Sequence, residues 1–292
     1  MRHLQFVRKG RLKTVTGTFA VLYCDFHTHT YFSFDGEAES TPEALCRRAL
    51  EVGMSDICIT DHCDIDCEVE GLYPAYRHEE AFAEMLRAKE KFRGRVNLCI
   101  GIELGNPHHA PEAAKETISR HPYEFVIGSL HNLKDMPDFC MFRYEMMTPE
   151  WIDRLFTQAL EEQIELCRFP GIHTLGHVTY MHRYLTASGI KFDFAPYRDR
   201  FAALYEELIR RDVVLELNVS TLWKGLGISM PTMELLKLYR DCGGRLVTVG
   251  SDAHAPQNLG KGIRQGYALL RAAGFDAVTV MRDGQRTVES IV

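Results

Sequence analysis

Two pairs of metal-type side chains bracket this chain. His27 and His29 follow the apolar run Phe19-Ala20-Val21-Leu22-Tyr23, and Asp252 and His254 follow Leu246-Val247-Thr248-Val249-Gly250. Residues two apart on a strand face the same side, so each pair is a pincer that can address one point. For both pincers to serve one centre, the first and last strands must end side by side. A chain that does this closes on itself.

The rest of the pattern suits such closure. Short apolar runs at 19–26, 56–60, 96–103, 124–128, 173–177, 213–218 and 246–250 alternate with amphipathic stretches at 41–52, 78–92, 112–119, 149–168, 195–211, 231–242 and 257–273. Ser40-Thr41-Pro42-Glu43 and Thr148-Pro149-Glu150 are helix starts, while Gly53 and Gly243-Gly244 are helix stops. This alternation predicts an α/β fold with a parallel sheet. In a barrel, active residues gather at the C-terminal ends of the strands. Candidate ligands follow that rule strand by strand: His27 and His29, then His62, Glu103, His131, His177, Asn218, and finally Asp252 with His254. A distorted, TIM-like (β/α)7 barrel is therefore expected in preference to an open doubly wound sheet. Residues 278–286 read as a closing hairpin with an Asp-Gly turn.

Composition narrows the function classes. The 292 residues suit one domain, expected over 19–292 with an N-terminal extension at 1–18. The net charge of −6 argues against a general nucleic-acid surface. The nine cysteines are scattered and odd in number, which predicts reduced thiols and a cytoplasmic protein. Cys63 and Cys67 could form half a zinc site, but no partner pair exists. The basic, then apolar, N-terminus mimics a leader peptide, yet Thr16-Gly17-Thr18 breaks it before the first histidine pair. No run is long enough to predict a membrane span.

Each candidate has its own chemistry. Imidazole with carboxylate suits zinc, iron or manganese. Glu103 ends an apolar strand, where a lone carboxylate is costly unless paired or metal-bound. Its two oxygens make it the candidate bridge between ions. Asp61 is expected to orient a ligand or act in catalysis, with a helix cap as the bland alternative. Asp35 lies in a turn after the first strand. Arg183 and Tyr184 follow His177, where an arginine can fork onto phosphate. Asn218 is the expected site-facing donor, and Glu216 an internal structural carboxylate. His3, His78, His108, His109, His121 and His182 lack strand-end positions and are expected at the surface or in loops. His173 stands at the wrong end of its strand.

Taken together, Asp25-Phe26-His27-Thr28-His29, Thr60-Asp61-His62, Gly101-Ile102-Glu103, Gly128-Ser129-Leu130-His131, Gly176-His177, Glu216-Leu217-Asn218 and Ser251-Asp252-Ala253-His254 resemble the polymerase-and-histidinol-phosphatase (PHP) superfamily. Within it, Arg183-Tyr184 and the 216–220 stretch resemble bacterial histidinol-phosphatases. The resemblance implies three divalent ions of zinc, iron or manganese. It implies one held by His27, His29, Glu103 and Asp252, a second by Glu103, His131 and His177, and a third by Asp35, His62 and His254. The N-terminal extension departs from the family pattern.

Charge counting favours a phosphate substrate. Three such ions bring six positive charges, and Asp35, Glu103, Asp252 and a hydroxide remove four. The remainder suits a phosphate dianion. The expected reaction is hydrolysis of L-histidinol phosphate by in-line attack of a metal-bridging hydroxide, with Arg183 and Asn218 holding the phosphate or leaving oxygen. The substrate's ammonium needs an acidic partner, expected from Asp64, Asp66, Glu68 and Glu70. The alternatives are a PHP-type phosphoesterase acting on another monoester, a nucleotide or a diester, and a non-catalytic metal-binding module. The expected partner is a small phosphate ester, with no membrane and no nucleic acid; homo-oligomerisation stays open.

Overall fold

The computed structural model describes residues 22–65 and 74–291. The expected extension, the start of the first predicted strand, His3, and the loop residues Asp66, Cys67, Glu68 and Glu70 lie outside the described residues. Strands β1 (Cys24–Thr28), β2 (Asp56–Ile59), β4 (Asn97–Gly105), β5 (Phe125–Ser129), β6 (Thr174–Leu175), β7 (Val214–Asn218) and β8 (Val247–Gly250) pair in that order, all parallel. The short β3 (His62–Asp64) continues the line of β2 and pairs with the far half of β4. Beyond the strands, His29 N donates to Ala253 O and Asp252 N donates to His27 O, joining the first strand to the last. The result is the nearly closed barrel that the pincers required.

Helices cover the outside. They are α1 (Pro42–Val52), α2 (His78–Phe92), α3 (Pro111–Ser119), α4 (Pro149–Leu166), α5 (Tyr180–Ala187), α6 (Arg198–Arg211), α7 (Ser220–Trp223), α8 (Met233–Asp241) and α9 (Ile263–Ala273). Thr41 caps α1 by accepting from Ala44 N, with Pro42 in the first turn and left-handed Gly53 at the end. Thr148 and Pro149 start α4 in the same way. Neighbouring helices pack on one another around the ring, α1 on α2, α4 on α6, α6 on α8 and α8 on α9. The short α5 and α7 have no separate counterpart in the sequence pattern. Both follow directly on strand-end site residues, where chemistry interrupts the apolar periodicity.

The hairpin of β9 (Ala277–Arg282) and β10 (Gln285–Ser290) turns on Asp283 and Gly284, both at positive φ. Arg282 pairs with Asp56 at 2.7 and 3.0 Å, and Asn97 donates to Met281 O. Asp56 and Asn97 begin β2 and β4, so the hairpin covers the end of the barrel opposite the ligand-bearing tips. No helix among the described residues is long and apolar enough to cross a membrane.

Candidate metal centre

β1 does not run straight to its histidines. Asp25 stands opposite Ile57 and Thr28 opposite Ile59, so Phe26 and His27 share the single partner Cys58. A bulge of this kind bends a strand and re-aims a side chain. Phe26 meets Phe125 edge-on, while His27 turns to the centre. Asp25, fully buried, accepts from Ser251 N and Oγ and from Gly260 N, which ties the opening motif to the closing one.

Glu103, on β4, is the hub. Its Oε2 faces His27 Nε2 at 3.2 Å, His29 Nε2 at 3.7 Å and His62 Nδ1 at 2.8 Å. Its Oε1 faces His131 Nε2 at 3.3 Å and His177 Nε2 at 2.9 Å, and accepts from Ser129 Oγ at 2.6 Å. Burial pushes Glu103 up, but His27, His62 and His131 hold it well below the usual carboxylate range. Burial and the neighbouring His254 and His62 hold His29 well below the ordinary imidazole value.

The second pincer splits. Gly250 ends β8, and Asp252 adopts a left-handed backbone with φ 54°, so 252–254 is not a continuing strand. Asp252 Oδ1 lies 3.5 Å from both His29 Nε2 and His254 Nδ1, while the other ring nitrogen, His254 Nε2, points away to Asp35 Oδ2 at 3.0 Å. His62 Nε2 also faces Asp35, at 3.7 Å. Thus Asp35, His62 and His254 meet at the rim, with Asp252, His27 and His29 beneath.

The donor set fits divalent ions. His27 Nε2, His29 Nε2, His62 Nδ1, His254 Nε2 and Glu103 Oε2 are buried and, despite these close approaches, none makes a well-angled hydrogen bond. Buried polar atoms rarely lack one. Here they face one another in groups of metal-site dimensions, including His27–His29–Asp252, His29–His62–His254 and His62–Glu103–His131.

A second layer of carboxylates fixes the rings. Glu216 Oε1 sits 2.6 Å from His27 Nδ1, and its Oε2 accepts from His177 N. Asp64 Oδ1 sits 2.5 Å from His131 Nδ1. Ser33 Oγ lies 3.1 Å from His29 Nδ1 and donates to Asp61. Carboxylates behind ligand imidazoles set the tautomer and aim the other nitrogen at the metal.

Two sequence expectations change, and a third, Asp61, takes its orienting form and not its catalytic one. Asp64, expected at the substrate, is buried and committed to His131. Asp61, expected in catalysis or orientation, takes no place in the cavity wall; it accepts from Thr30 N, Thr30 Oγ and Ser33 Oγ, and so shapes the turn that carries His29. Asn218, expected as a site-facing donor, is fully buried; its Oδ1 accepts from Ser220 N and Oγ, and its Nδ2 reaches Glu216. All three act through other residues. The break in the strand at Thr60-Asp61, and the bend after Asn218, turn these side chains away from the mouth. His78 and His182, expected at the surface, are buried against aromatic rings. His173 accepts from Val126 N at the opposite end, as expected.

Above the histidines lies a cavity of about 410 Å³. Arg183 and Tyr184 line it, as do Asp138, Trp223 and Lys224, which the sequence did not single out. Arg183 Nη1 lies 3.7 Å from Asp252 Oδ2, with the rings of Tyr180 and Tyr184 beside its guanidinium. Desolvation pushes the Lys224 ammonium down. The mouth therefore sets two cations against a carboxylate-imidazole floor.

The chain shares its family and its fold with known proteins. Residues 25–220 match the family described as "PHP domain". A Thermotoga maritima protein named "Probable histidinol-phosphatase" is 29% identical over 264 residues, spanning 90% of this chain and 97% of the relative. The histidinol-phosphatase of Lactococcus lactis is 25% identical over 256 residues, spanning 86% of this chain and 91% of that one. The crystal structure of the Lactococcus lactis histidinol phosphate phosphatase, in complex with zinc, L-histidinol and phosphate, superposes with a TM-score of 0.77 at 21% identity. That match covers 92% of this chain and 100% of the other, and it shows the shared fold.

Proposed function

The chain belongs to the PHP domain family, and from that premise we propose that it is a metal-dependent phosphomonoesterase that hydrolyses L-histidinol phosphate to L-histidinol and phosphate. The carrying observation is Glu103: five imidazoles around its two oxygens, with buried donor atoms that lack hydrogen bonds. The relatives that span nearly the whole chain carry the histidinol-phosphatase name, which supports the choice of ester.

We assign His27, His29, Glu103 and Asp252 to one ion, Glu103, His131 and His177 to a second, and Asp35, His62 and His254 to a third. The approach of His254 Nε2 and His62 Nε2 to Asp35 supports this division. When bound, such ions supply Lewis acidity toward phosphoryl oxygens and lower the pKa of water. Zinc, iron and manganese all suit the donors.

The chain's own residues do the rest. Arg183 presents a planar fork for two phosphate oxygens, with Asp252 and the tyrosines limiting its motion. Lys224 adds a point charge at the same mouth. Glu216, Asp64 and Ser33 hold the rings of His27, His131 and His29 in register. Of the cavity-lining carboxylates, Asp35 and Asp252 face histidines, leaving Asp138 to meet the substrate's ammonium. A single domain over 19–292, in the reducing cytoplasm, is consistent with the buried thiols of Cys24, Cys46 and Cys58.

The test is anaerobic metal analysis followed by phosphate-release assays on L-histidinol phosphate, other monoesters and a diester. Preferential turnover of L-histidinol phosphate is expected. Preference for another monoester or the diester would move the substrate assignment, and no turnover in any metal form would remove the enzymatic one.

A further inference from the structure

A second group of metal-type side chains converges away from the centre. We propose that His108, His109 and Glu162 form a peripheral site for one zinc-type divalent ion, which fastens the loop after β4 to α4. His108 and His109 were expected as surface or loop histidines. Instead, His108 Nε2 lies 3.4 Å and His109 Nε2 lies 2.8 Å from the same oxygen, Glu162 Oε2. One donor atom from each residue falls within 4.8 Å of the others. Ligand atoms around a tetrahedral zinc ion at ~2.0–2.1 Å stand about 3.3 Å apart, so small adjustments complete the site.

Adjacent residues do not ordinarily point one way. Here the chain turns at Asn106, with φ 51°, and His109 N bonds back to Asn106 O. The two rings lie 4.2 Å apart at 55°, so they do not stack and both can turn toward Glu162. The three side chains are only 11%, 4% and 14% exposed. Glu162 Oε1 accepts from Gln158 Nε2 at 3.0 Å, while Oε2, which both imidazoles address, also faces Lys134 N at 3.3 Å. Two histidines and one glutamate leave a coordination position for water.

The location gives the site a purpose. Asn106 Oδ1 accepts from His131 N, and Lys134 N lies against Glu162. An ion here would clamp the segment carrying His131 between the β4 loop and α4, without touching the reacting atoms.

The test uses the full-length, zinc-saturated protein. Zinc per chain would be measured for wild type, Glu162→Gln and His109→Gln, with circular dichroism as a folding control. Anomalous diffraction at the zinc edge would be collected on wild type. A zinc peak among the three side chains is expected. Each variant should lose about one zinc per chain while keeping most of its phosphatase turnover. Equal zinc content in folded variants and wild type, or no wild-type peak at saturation, would overturn the site. The wild-type peak decides the matter even where a variant fails to fold. Because the readout is metal position and count, a wild type inactive on phosphate esters would leave this site standing and remove only the proposed function.

Discussion

Glu216 touches two candidate ligands at once: its Oε1 lies 2.6 Å from His27 Nδ1, and its Oε2 accepts from the backbone N of His177 at 2.6 Å. One buried carboxylate on β7 thereby sets the tautomer of a β1 histidine and the position of the residue after β6. Glu216→Gln keeps the volume but removes the charge. It should lower metal affinity or kcat/KM by roughly 10- to 100-fold with an unchanged circular dichroism spectrum. Chelator competition alongside steady-state kinetics measures both. A loss of stability with metal affinity and turnover intact would show that Glu216 merely packs.

Gly250 guards the same contact. A Cβ at this position would overlap Cβ of His27 and press on Glu216 Oε1, 2.7 Å away. Gly250→Ala should cost roughly 100-fold in kcat, since displacements near 1 Å at a catalytic centre carry penalties of that size. Stopped assays at saturating metal would read it, and wild-type kcat would refute the packing argument.

Asp138 is predicted to recognise the cationic end of the substrate. Asp138→Asn should raise KM for L-histidinol phosphate by about 10-fold, the worth of one charge-assisted contact. KM for a plain alkyl phosphate should hardly move. Equal effects on the two esters would rule the contact out.

His182 makes stability depend on pH. Burial against aromatic rings pushes it down to about 4 from the ordinary 6.5. The folded pKa is depressed, so the stabilisation is complete above about 6.5 and is lost as pH falls toward 4. Between pH 7 and pH 5 the linkage amounts to about 2 kcal/mol. Urea midpoints of wild type and His182→Leu, compared at those two pH values, should show a shallower pH dependence in the variant. Parallel curves would contradict the assignment.

Local signals carried much of the fold. Thr41-Pro42 and Thr148-Pro149 start helices in the structure as in the sequence, because a cap and a first-turn proline act on their own backbone. The Asp283-Gly284 turn is legible for the same reason. Glu103 was legible as a hub, since a carboxylate ending an apolar strand demands partners. Asp64 and Asn218 were not: Asp64 stands two residues past His62 and Asn218 ends a strand with no ligand beside it, and which way each turns depends on strands far away in the chain. Ser33 and Asp138, on loops without periodicity, gave no signal. His108 and His109 acquire meaning only beside Glu162, a helix residue remote from both.

Local patterning established that strands alternate with helices, that the chain closes on itself, and which imidazoles and carboxylates stand at the strand tips. These follow from side-chain period and residue chemistry, which act over a few residues. Long-range packing set the aim of the closing pincer, with Asp252 Oδ1 near His29 and His254 Nδ1, and His254 Nε2 turned to Asp35. It also decided which carboxylates face the cavity and which lie behind the rings. The physical reason is the backbone between these residues. The bulge after Asp25, the break at Thr60-Asp61 and the left-handed turn at Asp252 are fixed by pairing with distant strands, and each redirects a side chain that its own neighbours leave free.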